Sequence, residues 1–405
     1  MTHQFRWYLG GHAAWFTSLG MQMIIFPWLV AVVLDAPAQR VGLAQMAVMA
    51  PSMLFMLYGG AVADRADCRR LLLRYQLVAT LPPLALAGFV ATGGLAYPVL
   101  IAYGLAMGTL TAFVMPTRDT LLSRVVTRER ARAVAVTSAA QFVFQLIGIG
   151  VTGFAGRIGA SVLLAGQAAI LGLGALSVSR LAPAPPAATH REGESVFAAM
   201  RDGLRAVRRS DRLFPVVVSM LAVGIFYGGA FSVVLPIMVR DIFRGSSGEM
   251  ALVNTAFWVG TIASTLYQIR RGALQRPGRA VLLGLAWGSI VLLAMAVPAP
   301  LWAFALICVV WGAGAGVVLT QGRTIVQLET PESHRARALA IFQLGFTGGS
   351  PIGAVGMGYL VAHVGPRVAL VYPAAAMVLV LFALFLRSGL WGHTARQTLS
   401  PSPRP

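Results

Sequence analysis

Gly59-Gly60-Ala61-Val62-Ala63-Asp64-Arg65-Ala66-Asp67-Cys68-Arg69-Arg70-Leu71-Leu72-Leu73 separates two long apolar runs, 41–63 and 71–92. About 20 mostly apolar residues suffice for an α-helix to cross hydrocarbon. The stretch therefore reads as a tight basic turn between two membrane-crossing helices. Gly60 is expected to let two helices approach closely. Asp64, at a helix end, suits capping of a neighbouring helix or pairing with an arginine. Arg65, Arg69 and Arg70 anchor the turn on one side of the bilayer. Topology alone asks only for the arginines; the glycine and aspartate spacing is additional information.

Working outward, the whole chain has the same character. Of 405 residues, 57% are hydrophobic and 11% charged, against roughly 25% charged in soluble domains. One water-soluble globule of this size cannot hide so much apolar surface. Twelve apolar segments are readable, near 7–34, 41–63, 71–92, 97–117, 133–156, 160–180, 214–239, 250–269, 279–297, 301–321, 338–361 and 367–387. They are too long for barrel strands, so helices satisfy the backbone in lipid. The expected fold class is an all-α membrane protein. The first run, Trp7 to Leu34, exceeds the ~7–15 residues of a signal-peptide core and reads as a retained first span.

All 32 basic residues are arginine, and the formal net charge is +19. A nucleic-acid partner is excluded on placement: the arginines form short clusters between apolar runs, with no continuous basic face. Assigning alternate loops to opposite sides puts 27 arginines on one side. Arg40, Arg157, Arg240, Arg244 and Arg367 fall on the other. The rich side is expected to be cytoplasmic, with both termini inside a bacterial inner membrane. Cys68 and Cys308 suggest neither a disulfide framework nor a metal site. No metal, cofactor or enzyme motif is found: there is no HExxH, phosphate loop or Gly-x-Ser-x-Gly elbow.

The longest loop lies mid-chain. Ala182-Pro183-Ala184-Pro185-Pro186 looks like a stiff spacer, and 195–212 reads as an amphipathic surface helix, either a solvated linker between two halves or one whose arginines meet anionic head groups. The division expected is an N-terminal half over 1–181, a linker over 182–212, a C-terminal half over 213–390 and a tail over 391–405. An offset of 205 residues maps Arg130–Ala135 onto Arg335–Ala340, Arg118 onto Arg323, Gly148 onto Gly353 and Gly153 onto Gly358. Six plus six helices related by a parallel repeat would place a substrate path between the halves.

The 59–73 stretch resembles the signature turn of the major facilitator superfamily: a glycine, Asp-Arg four residues later, then a basic pair. Asp67 replaces the glycine usual after Asp-Arg. That form, with Pro116-Thr117-Arg118-Asp119-Thr120-Leu121-Leu122 and the following Thr127–Ala135, is similar to the efflux subgroup that contains the enterobactin exporter. The resemblance implies twelve helices in two pseudo-symmetric halves and secondary active transport by alternating access. It implies efflux of a small amphipathic molecule, drug-like or siderophore, coupled to protons, by a monomer embedded in a lipid bilayer. Uptake, lysophospholipid transport and a non-transporting membrane sensor are the alternatives. By the same resemblance, Arg118 and Asp119 are expected to join Gly60, Asp64, Arg65, Arg69 and Arg70 in a gating network. Gly148-Ile149 stands where exporters carry Gly-Pro, which leaves the direction of transport open.

Ionisable groups inside a membrane are functional candidates. Every acidic residue is expected at a helix end or in a loop. Asp35, closing the outer end of the first span, and His12, in its inner half, are the proton-coupling candidates. With no buried charge expected, the path should be apolar with scattered polar groups: Gln22, Gln45, Gln141, Gln145, Tyr227, Asn254, Trp258, Tyr267 and Gln343. Gln141 and Gln145 share a helix face. Such groups suit a neutral, partly apolar ligand, or hold helices together.

Overall fold

The computed structural model describes residues 3–126, 130–184, 205, 208, 210–211, 213–272, 274–330, 332–388 and 390–391. The surface helix expected over 195–212 falls almost wholly outside these residues, as does the tail beyond 391. Twelve long apolar helices are present among the described residues: α1 His3–Val33, α2 Ala38–Arg65, α3 Cys68–Ala91, α4 Tyr97–Val125, α5 Arg132–Thr152, α6 Ala160–Ser179, α7 Leu213–Asp241, α8 Ser247–Arg271, α9 Pro277–Ala296, α10 Leu301–Glu329, α11 Ala338–Val364 and α12 Pro366–Leu386. Large apolar side chains such as Leu54, Leu173, Ile269, Trp302 and Leu379 stay exposed. Hydrocarbon is their solvent, and the chain is a multi-pass integral membrane protein.

Two helices run well past their expected ends, and they do so alike. α4 and α10 continue well beyond 117 and 321, to Val125 and Glu329. Apolar residues give out near 117 and 321, but a helix satisfies its own backbone in water as well as in lipid. Asp119 therefore lies within α4, which corrects the expectation that every acidic residue sits at a helix end or in a loop.

The halves repeat the same packing. A methyl group on Gly148 of α5 would meet Met21 N of α1 at 2.8 Å. A methyl on Gly353 of α11, 205 residues on, would meet Ile225 Cα of α7 at 2.9 Å. Both pairs thus pack backbone to backbone, as small residues permit between helices in lipid.

α1 and α7 share a second feature with no sequence signal. α1 ends in a π-helical turn, Leu29–Val33, and α7 contains two, Val223–Gly228 and Ala230–Val234. Such turns are rare and mark places where a helix is locally widened.

Candidate functional site

At the arginine-rich end, the 59–73 turn is fastened to its own half. Asp67 Oδ1 accepts from the Arg69 and Arg70 backbone N–H groups at 2.9 and 3.3 Å, capping α3, and from Ala184 N at 3.2 Å. Arg124, at the end of α4, donates to the backbone carbonyls of Ala66 (3.1 Å), Ala184 (2.8 Å), Ala63 and Asp64 (both 3.4 Å). Arg69 donates to Ser179 O at the end of α6, 2.6 Å away. Among the described residues the Asp64 carboxylate and the Arg65 guanidinium take part in no ion pair. Two expectations are corrected. Asp67, not Asp64, caps the next helix. Gly59, not Gly60, makes the close approach: a methyl there would meet Phe113 Cα at 3.1 Å, while one on Gly60 would meet only Pro116 Cβ at 3.9 Å.

The arginine-poor end joins the two halves. Gly42 of α2 lies against Ala354 and Gly358 of α11, so that a Cβ on Gly42 would sit 2.5 Å from Ala354 O. The pseudo-equivalent seam brings Gly153, just beyond α5, against Gly248 and Ala251 of α8. Ser247 Oγ donates to Gly153 O at 3.1 Å and accepts from Gly156 N at 3.3 Å. Arg240, at the end of α7, reaches across and donates to the carbonyls of Ala31 (2.9 Å) and Ala36 (2.7 Å). The Ala31 carbonyl belongs to the carboxyl end of α1, where helix geometry leaves acceptors free and favours a cation, and the Ala36 carbonyl lies in the turn just beyond it. Asp241 holds the guanidinium from behind at two nitrogens, and Asp35 pairs with it at 3.4 Å.

Midway along the seam, Phe142 of α5 faces Trp258 of α8 at 6.2 Å between ring centroids. Trp258 leads into an aromatic cluster of Phe257, Phe231 and Trp311. The Gln22 Oε1 and Trp258 Nε1 atoms are buried without hydrogen-bond partners. Gln22, Gln45, Gln145 and Asn254 are buried, and Gln141 and Trp258 half-buried. Asn254 donates to Met250 O within its own helix. Tyr227 is occupied elsewhere: its hydroxyl bonds Leu285 O and Ser289 Oγ of α9. Tyr267 is 58% exposed beneath Arg271, and Gln343 is exposed.

The same architecture recurs in known proteins. The family described as transmembrane secretion effector, a branch of the major facilitator superfamily, matches residues 4–402. The chain belongs to this family. Its fold is shared with a solved point mutant of the nucleoside transporter NupG, at 14% identity and TM-score 0.77, covering 95% of this chain and 100% of that one. An auto-inhibited POT-family peptide transporter matches at 13% identity and TM-score 0.73 over 100% and 99%. A POT-family transporter in complex with 5-aminolevulinic acid matches at 14% identity and TM-score 0.72 over 94% and 95%. No curated relative matches. The matched family and structures are transporters, not enzymes, and this family member is a transporter of the major facilitator fold.

Within that fold the expected gating set is not gathered in one place. Arg118 turns away from Asp64 into the first half and is 2% exposed, its guanidinium 5.2 Å over the Phe16 ring of α1. A buried charge is thus present where none was expected: Arg118 stands close to a loop in the sequence, but α4 carries it into the core. Asp119 is exposed and within electrostatic reach of Arg118 beside it and of Arg323 on α10 across the halves. His12 is buried with Nε2 3.0 Å from Thr137 O of α5. Asp35 is 86% exposed at its side chain. Sequence reasoning passed over Arg124 and Arg240 because one arginine in a loop reads like another. It also passed over Phe142, Phe231, Phe257 and Trp311, which are ordinary apolar residues until their neighbours are known.

Proposed function

We propose that this protein is a secondary active exporter working by alternating access, with its arginine-rich end in the cytoplasm of a bacterial cell. One observation carries the reading: the packed contacts between halves named above lie at the arginine-poor end or mid-seam, whereas among the described residues at the arginine-rich end only the longer-range attraction of Asp119 and Arg323 spans the halves, and Asp64 and Arg65 make no ion pair. A molecule packed together at one end and linked at the other only by charge is poised to open toward the second. Asp64 and Arg65, with Arg69, Arg70 and Asp119, would then engage when the arginine-rich end shuts, and ligands that bind one state better would shift the balance. The family's description as a secretion effector favours export. The aromatic cluster around Trp258, whose buried indole N–H lacks a partner as the Gln22 Oε1 does, suits a small amphipathic cargo, drug-like or of siderophore type.

Protons are the proposed coupling ion. His12 is favoured over Asp35 as their carrier, because it is enclosed between α1 and α5 while Asp35 is already solvated in this state. The protein is proposed to act as a monomer, since both halves of the path lie in one chain. Cells lacking the protein should accumulate more of a lipophilic dye or siderophore, and cells overproducing it less. The opposite pattern would establish uptake, and no flux under any gradient would favour a sensor.

A further inference from the structure

Among the described residues, Asp35 and Arg244 are the only non-glycine residues with a left-handed backbone, at φ 45° and 49°. They occupy the same place in the two halves. At the corner from α1 to α2, Leu34 N donates to Leu29 O at 3.0 Å and Ala36 N to Val30 O at 3.1 Å. At the corner from α7 to α8, Phe243 N donates to Met238 O at 3.1 Å and Gly245 N to Val239 O at 2.8 Å. Each of these residues in the second corner lies 209 positions after its counterpart in the first, as Arg244 lies after Asp35. The step is 205 from α4 onward, since the second half is four residues shorter in between. The step of 209 also leads from Ala31 to Arg240, so the bond from Arg240 to Ala31 O joins equivalent points of the two corners.

A left-handed backbone brings Cβ too close to the following carbonyl oxygen, so glycine normally takes such positions, and aspartate tolerates them better than arginine. Strained residues persist only where their surroundings over-determine them. Neither side chain imposes the conformation by burial, because both are exposed. Contacts with the opposite half do constrain the chain that follows. Directly after Asp35, the Ala36 carbonyl is held by Arg240 at 2.7 Å, and the Ala38 backbone packs on Gly358 of α11. Three residues after Arg244, Ser247 Oγ donates to Gly153 O and accepts from Gly156 N.

We infer that Asp35 and Arg244 are a matched pair of strained links that oppose closure of the arginine-poor end and ease its opening. Closure clamps the residues after them and imposes the left-handed backbone; opening frees both corners to relax. The closed state is therefore held less tightly than its glycine packing alone would hold it. A glycine at either place removes the opposition and keeps this end shut for longer. The inference depends on neither cargo nor direction, and rests on alternating access only in requiring that this end open.

The full-length protein in detergent, without cargo, carries one reporter cysteine whose rate of labelling by a maleimide is followed; Cys68 and Cys308 are buried. For Arg244 variants the reporter is Gln39→Cys. For Asp35 variants it is Gly156→Cys, where a Cβ fits 3.5 Å from Ser246 Oγ. Each reporter thus lies by the corner that is not altered. Arg244→Gly should label about fivefold or more slowly than Arg244→Ala, and Asp35→Gly than Asp35→Ala by a similar factor. Alanine keeps the strain and glycine removes it, while the original side chain is lost in both, so the Asp35–Arg240 ion pair drops out of the comparison. Equal labelling of the glycine and alanine variants, or faster labelling with glycine, would overturn the assignment and leave the export reading standing. A glycine variant that fails to fold would overturn it too, since glycine adopts this backbone without steric cost. A reporter that never labels in the otherwise unaltered protein would refute the opening itself and take both readings with it.

Discussion

At the arginine-poor end α2 meets α11 and α5 meets α8 through glycine backbones, with Arg240 plugging the carboxyl end of α1. At the arginine-rich end α2 ends in Asp64 and Arg65, which pair with no other charge among the described residues, and the turn beyond is tied to its own half. One end is closed by shape, the other is left to charge. Backbone packing is short-ranged and intolerant of added volume, whereas exposed ion pairs are weak and screened. A rocking machine built this way should respond steeply to size at one end and gently to charge at the other.

The sharpest way to break the contrast is volume. Gly358→Leu places a branched side chain where even a Cβ would sit 2.7 Å from Ala38 O. Overpacking costs about 1–3 kcal/mol, so the arginine-poor seam should fail to close, with flux falling about tenfold or more. Labelling by an impermeant maleimide of a cysteine placed at Gln39 should rise, and unchanged labelling would refute the seam. Next comes Arg240→Ala, which removes two charge-assisted hydrogen bonds of about 1.5–3 kcal/mol each, partly replaced by water. The same labelling should rise by up to about tenfold, and Arg240→Lys should restore part of the closure. Asp64→Asn should lower flux only several-fold and leave insertion intact; normal flux would remove Asp64 from the gate. Asp35→Asn should do least, about twofold or less, because an exposed pair contributes about 0–1 kcal/mol. Flux that no longer depends on the pH gradient in that variant would return Asp35 to the proton path.

The twelve spans were legible because apolar length is a local property, and lipid imposes it residue by residue. The repeat was legible too: Gly148 and Gly353, matched only by offset, do the same work against α1 and α7. The site was far less so. Whether Arg118 lies in a loop or a core depends on how far α4 continues and on what α1 offers it. Arg124 and Arg240 find their acceptors on backbone carbonyls, which leave no trace in side-chain identity. Gly59 and Gly60 are adjacent and chemically identical, and only the rotation of α2 decides which one touches α4. The π turns were invisible for the same reason: backbone contact between α7 and α11, rather than local propensity, accompanies them.

The π turn that ends α1 has a mechanical consequence. Winding Leu29–Val33 back to 3.6 residues per turn would rotate everything beyond it by about 100° and shift it by about 1.5 Å along the axis. The Ala36 carbonyl would swing away from Arg240, and the plug would lose its socket without any side chain being pulled. A structure of the opposite state with this turn unchanged would show that the release comes from elsewhere.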